Sequence, residues 1–158
     1  MVFIAPELGK WTTCGGLGVM VGELTVGLAA LGVKVTVISP FYDKNKKGTT
    51  DYLKADGIHY KRNIKTMVGE DVVDIGLHEG YVNGVRLVFL HNAMYFPSPY
   101  PNTTSCETLR AMMLMAKGSL EALCQLQLIP SMIVTNDWFT GLVAAVAKVC
   151  IYVTLLYY

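Results

Sequence analysis

Short apolar runs alternate along the chain with apolar positions at helical spacing, and that pattern predicts most of the elements. "VFIA" (2–5) has the length and continuity of a buried strand. Between residues 17 and 31, Leu17, Met20, Val21, Leu24, Leu28 and Leu31 recur at helical spacing. Gly32 follows, where a helix C-terminus favours glycine. "VKVTVIS" (33–39) is rich in β-branched residues and runs up to Pro40, which predicts a second strand. Strand, helix and strand in this order form a βαβ unit, whose parallel strands are joined by a right-handed crossover.

Beyond it, "DKNKKGTTD" (43–51) reads as a loop. Residues 58–91 read as strands and a hairpin, with Asn83-Gly84 suited to the tight turn. "MYFPSPYPN" (94–102) holds three prolines and three aromatics and reads as an irregular surface segment. The pattern predicts a long helix over 106–127, with Met112, Met113 and Met115 as core residues. "MIVTNDW" (132–138) predicts a strand ending in a polar turn, and "TGLVAAVAK" (140–148) a helix. The run from Leu142 to Tyr158 is almost wholly apolar but carries Lys148. A membrane span needs about 20 such residues, so the run reads as a buried helix followed by a strand. The fold class is α/β: a Rossmann-like, largely parallel sheet with helices on both faces and an inserted β-hairpin.

Composition narrows the function classes. With 158 residues, 53% apolar and 16% charged, the chain suits one globular domain. A net charge of +1 offers no electrostatic case for a nucleic acid or a membrane surface. Lys44, Lys46 and Lys47 read as a solvated loop. The cysteines at 14, 106, 124 and 150 show no C-x-x-C spacing, so no metal site is expected, and free thiols suit a reducing compartment. "MVFIAPELGK" lacks the basic start and long apolar run of a secretory signal, which leaves the sequon at Asn102 silent.

The chemistry-bearing stretch is "TTCGGLGVMVGELTVGLAALG" (12–32), where Gly16, Gly18 and Gly22 are spaced G-x-G-x-x-x-G. Glycines let a backbone turn tightly towards an anion, and a helix N-terminus offers unpaired N–H groups to it. Close packing of the helix is the alternative reason for them. A dinucleotide site wants an acid at the end of the second strand, where Ile38, Ser39 and Pro40 stand. No Gly-Lys-Ser/Thr follows the loop either, which argues against a P-loop triphosphate.

Three segments together carry a resemblance: "APELGKWTTCGGLGVMVGELTVGLAALGVKVTVISPFY", "NGVRLVFLHNAMYFPSPYPN" and "PSMIVTNDWFTGLVAAVAK". In order and spacing, residues 1–148 resemble the N-terminal domain of starch and bacterial-type glycogen synthases. The resemblance implies two Rossmann-like domains in the GT-B arrangement, with substrates in the cleft between them. It implies transfer of glucose from ADP- or UDP-glucose to an α-1,4-glucan with retention, without metal or cofactor, the nucleotide sugar being a substrate. Gly15, Gly16 and Gly18 would then face the diphosphate of that sugar donor. The family's loop lysine falls on Thr13 and its loop aspartate on Val19. The histidines of its "H-D-W-H" turn fall on Asn136 and Phe139, and an aspartate before the long helix falls on Cys106. Thr13, Gly15, Gly16, Gly18, Phe96, Asn136, Asp137 and Phe139 are the substrate-binding candidates that the resemblance supplies; no catalytic residue is assigned. Asp137 either lines the crevice or caps the next helix, and Phe96 either sits near the sugar donor or packs in the core. Asn92 is a candidate for shaping its turn, and His59 and His78 have no assigned role.

Residues 149–158 do not resemble the family's continuation and read as an apolar tail, possible as a truncated end. The resemblance implies a further Rossmann-like domain carrying the charges that stabilise the leaving diphosphate. The chain by itself is therefore expected to be inactive. The alternative function is a glucan-binding or regulatory module without catalysis, or a truncated product. The expected location is the cytoplasm, or a plastid if a transit peptide is missing here. The exposed cleft face is a candidate surface for self-association.

Overall fold

The computed structural model describes residues 1–42, 51–100 and 103–156. Strand β1 (Val2–Ile4) is followed by a one-turn helix α1 (Gly9–Thr12), helix α2 (Gly16–Ala30) and strand β2 (Thr36–Phe41). A short helix α3 (Asp51–Ala55) precedes strands β3 (His59–Val68), β4 (Asp71–Val82) and β5 (Val85–His91). Helix α4 (Ser105–Gln125), strand β6 (Ile133–Thr135), a 3-10 turn (Trp138–Thr140) and helix α5 (Leu142–Leu156) complete the chain.

One six-stranded sheet runs in the order β3-β4-β5-β2-β1-β6. β1 pairs in parallel with both β2 and β6, and β2 pairs in parallel with β5. The expected βαβ unit is present, with Val2, Phe3 and Ile4 opposite Thr36, Val37 and Ile38. The inserted hairpin is present too: β4 lies antiparallel between β3 and β5. Asn83 and Gly84 turn it with φ of 51° and 79°, the doubly left-handed backbone that matches strand twist.

Strands buried on both faces need apolar residues at every position, and the period of two sorts them into two cores. Ile4, Ile38, Val88 and Leu90 face Ala111, Leu114, Met115 and Val143 of α4 and α5. Phe3, Val37, Leu87 and Phe89 face Leu8, Trp11 and Val21 on the side of α1 and α2. The three methionines of α4 belong to the first core: Met115 is fully buried, and Met112 and Met113 pack against it.

Three sequence expectations are amended. β2 does not stop before Pro40 but runs through it to Phe41. Ile38 offers its carbonyl to the Ala5 N–H, so Pro40, two residues on, turns its nitrogen to the same β1 side. β1 has ended there, so the missing N–H breaks no ladder bond. The apolar run from Leu142 is one helix to Leu156, and among the described residues no strand follows residue 148. No Gly or Pro interrupts it, and periodicity cannot separate helix from strand in such a run. Asp51 opens α3 rather than ending a loop; the rest of that loop, with Lys44, Lys46 and Lys47, lies outside the described residues. Among the described residues no helix is long and apolar enough to cross a membrane.

Candidate functional site

The carboxyl ends of parallel strands form one rim, and ligand crevices of open α/β sheets lie outside it. Here the loops after β1, β2, β5 and β6 meet at that rim. After β2, the Tyr42 hydroxyl donates to the Pro6 carbonyl at 2.9 Å and ties two of them. After β6, the Asn136 N–H donates to the Ile4 carbonyl at 3.0 Å, which fixes the polar turn beside β1.

Glu7 is the centre of the rim. It is 3% exposed, yet both carboxylate oxygens are used. Oε2 accepts the N–H groups of Cys14 at 2.7 Å and Gly15 at 2.8 Å. Oε1 accepts the Tyr100 hydroxyl at 2.8 Å. Burial raises the Glu7 carboxyl, but the hydrogen bonds from Cys14, Gly15, Tyr100 and Gly18 outweigh it and hold the group below its ordinary value. The loop that the glycines build therefore already holds an anion, supplied by the chain.

Tyr100 joins this loop to the turn after β6. Its hydroxyl also lies 2.8 Å from Asp137 Oδ2, and its ring rests near Trp138 with centroids 6.1 Å apart. Burial, followed by the two carboxylate contacts, pushes the phenol well up, so it stays protonated. Two residues here have unusual backbones. Tyr100 has φ 46°, and Asp137 has φ 71° with ψ 164°, a region that is essentially glycine's. Asp137 stays there while its Oδ1 accepts the Trp138 N–H at 2.7 Å and starts the 3-10 turn.

The expected site residues separate into groups. Gly15 and Gly16 open onto space: a Cβ at either would meet nothing within 4 Å. Gly18 is a packing glycine, since a Cβ there would lie 2.0 Å from the Thr13 hydroxyl. Gly22 is another, with the Gly9 Cα 3.2 Å from its would-be Cβ. Close packing thus accounts for Gly18 and Gly22 and not for Gly15 and Gly16. Thr13 lies on that packed side and lines a shallow hollow with Gly9, Lys10, Val19, Gly22 and Glu23. Asp137 is at the rim, both capping the turn and touching Tyr100. The buried Oδ1 of Asn136 has no hydrogen-bond partner, an uncommon state for a polar atom inside a protein. Phe96 and Phe139 are buried rings 6.5 Å apart in the core. Asn92 shapes its turn by accepting from Met94 and Tyr95 N–H, each at 3.1 Å.

A cavity of about 610 Å³ lies to one side, between the start of β4, the segment after β5 and the first turns of α4. Of the residues singled out in the sequence only Asn92 lines it, and Arg110 within it is engaged by Asp71 and the Tyr95 hydroxyl. Glu7 and Tyr100 escaped the sequence reading. A buried acid just after a strand carries no pattern of its own, and its partner stands 93 residues away.

With this geometry in hand, a family model described as the starch synthase catalytic domain matches residues 1–156. The chain belongs to that family. Granule-bound starch synthase 1 of Solanum tuberosum is 26% identical, over 94% of this chain and 26% of its own length. The glycogen synthase of Myxococcus xanthus is 30% identical, over 90% of this chain and 30% of its own. Among solved structures, the catalytic domain of Starch Synthase IV from Arabidopsis thaliana, bound to ADP and acarbose, superposes with a TM-score of 0.74. That likeness, at 24% identity, covers 90% of this chain and 29% of the other, and it establishes the shared fold. The chain thus spans between a quarter and a third of the length of these relatives.

Proposed function

We propose that the chain is the N-terminal half of a retaining glucosyltransferase that extends an α-1,4-glucan from ADP-glucose or UDP-glucose. The observation that carries this reading is the meeting of the glycine loop and the Asn136–Asp137 turn on one rim of the sheet. Gly15 and Gly16 leave room for a diphosphate at the start of α2, a 15-residue helix whose dipole favours negative charge there. The unpartnered Asn136 Oδ1 suits a sugar hydroxyl as its donor. Nucleotide sugar and glucan are substrates, and no metal or cofactor takes part.

The groups gathered at the rim are two carboxylates, a phenol and backbone amides. None brings positive charge to a leaving diphosphate, and Thr13 stands where the family's loop lysine falls. That charge belongs to a second Rossmann-like domain across the cleft. The location follows the relatives: a plastid, as in the name of the potato enzyme, or the cytoplasm. The exposed rim is also a surface through which copies could associate.

Calorimetry with ADP, paired with a transfer assay using ADP-glucose and UDP-glucose on glycogen, tests the proposal. Weak ADP binding without turnover is expected, and Gly16→Asp abolishes the binding. Turnover by the pure chain contradicts the division of labour between halves. The second reading is a glucan-binding or regulatory module, favoured by the Glu7 carboxylate that fills the loop amides. Retention on immobilised glycogen, together with no ADP binding, selects it.

A further inference from the structure

We propose that Glu7 is an internal anion that competes with phosphate for the glycine loop, and that Tyr100 is the latch that keeps it there. The proposal rests on the loop being the diphosphate site. Glu7 Oε2 already takes the N–H groups of Cys14 and Gly15, so a phosphate oxygen can reach those donors only when the carboxylate leaves. Two anions cannot share them, because like charges at hydrogen-bond spacing repel strongly in a partly buried site. Departure of Glu7 also breaks its contact with Tyr100, which couples the loop to the segment after β5.

The latch is built to be released. A phenol has one proton, yet Tyr100 lies 2.8 Å from a carboxylate oxygen on each side. One O–H serves Glu7 or Asp137 at a given moment, and the other contact brings lone pairs together. The left-handed backbone of Tyr100, φ 46°, opposes the closed arrangement as well. What holds it is the pair of hydrogen bonds that Glu7 accepts from the Cys14 and Gly15 N–H groups and the ring contact with Trp138. A diphosphate offers more charge and more acceptor oxygens to the same amides, so it can replace the carboxylate and free the latch together.

Inorganic pyrophosphate and ADP are the probes, titrated by calorimetry into the wild-type chain, Tyr100→Phe, Glu7→Gln and Gly16→Asp. Tyr100→Phe keeps the ring on Trp138 and removes only the hydroxyl, so it is the mild test of the latch. Tighter binding is expected, by about 3-fold for Tyr100→Phe and about 10-fold for Glu7→Gln, which keeps the shape and removes the charge. Amide exchange at Cys14 and Gly15 should quicken in Glu7→Gln. If the wild type binds, Gly16→Asp does not, and both other variants bind no more tightly than wild type, the competition is refuted while the phosphate site survives. If no form binds either probe, the loop is not a phosphate site and the proposal falls with it.

Discussion

The two long helices that follow loops, α2 and α4, begin in opposite ways. α4 is closed locally. Thr104 accepts the Glu107 N–H, Glu107 accepts the Thr104 N–H, and the two side chains also touch. Everything needed lies within four residues, a capping box. α2 has Gly15 at its N-cap and no side-chain cap of its own. The anion beside it comes from Glu7, eight residues from Gly15, and is held by Tyr100. A helix start closed by its own side chains has no vacancy for a ligand. One closed by a borrowed carboxylate can exchange it. The difference separates a structural helix start from one available for function.

Removing each closure gives the widest contrast. Glu7→Ala should cost about 2–4 kcal/mol in denaturant unfolding, because two amide donors and the Tyr100 hydroxyl lose a charged acceptor. Acid should act the same way. The Glu7 carboxyl lies below its ordinary value of 4.5, so its contribution is complete above that pH and disappears as pH falls below it. A second titration precedes it and must be separated. Burial, then His91 and Lys54, lower His78 from 6.5 to about 4, so the unfolded chain binds the proton first. Stability should fall between pH 6.5 and 4, by about 2 kcal/mol once solvent screening is allowed for, and His78→Gln should remove that step from the pH profile.

Thr104→Ala breaks the local cap and should cost about 1 kcal/mol, with no change in ADP or pyrophosphate affinity. Any loss of affinity there would erase the distinction between the two helix starts. The smallest effect is expected from Cys106→Asp, which places an acid in the first turn of α4. It should stabilise by about 0.3–0.5 kcal/mol in low salt and less in high salt.

The same contrast explains what was legible. Gly32, with φ 84°, and the Asn83–Gly84 turn were readable because a backbone that favours glycine or asparagine leaves a local mark. β1, β2 and the centre of β5 were readable because they are buried throughout and their residues are mostly apolar. Pro40 misled because its effect depends on where a neighbouring strand ends. The glycine loop was half legible: Gly18 and Gly22 answer to Thr13 and Gly9, close in sequence. The Glu7–Tyr100–Asp137 chain was not legible, since it joins residues 93 and 37 apart and holds two of them in backbones that sequence does not announce.

The occupied loop also decides how its thiol behaves. Cys14 is exposed, yet desolvation and then the negative charge of Glu7 raise it above the ordinary value of 9.0. Only the thiolate attacks electrophiles. Desolvation and the Glu7 charge both lower the thiolate fraction at Cys14, and alkylation should proceed faster in Glu7→Gln, where that charge is gone. The state of the loop can be read as a labelling rate, with no ligand added and no spectroscopic tag.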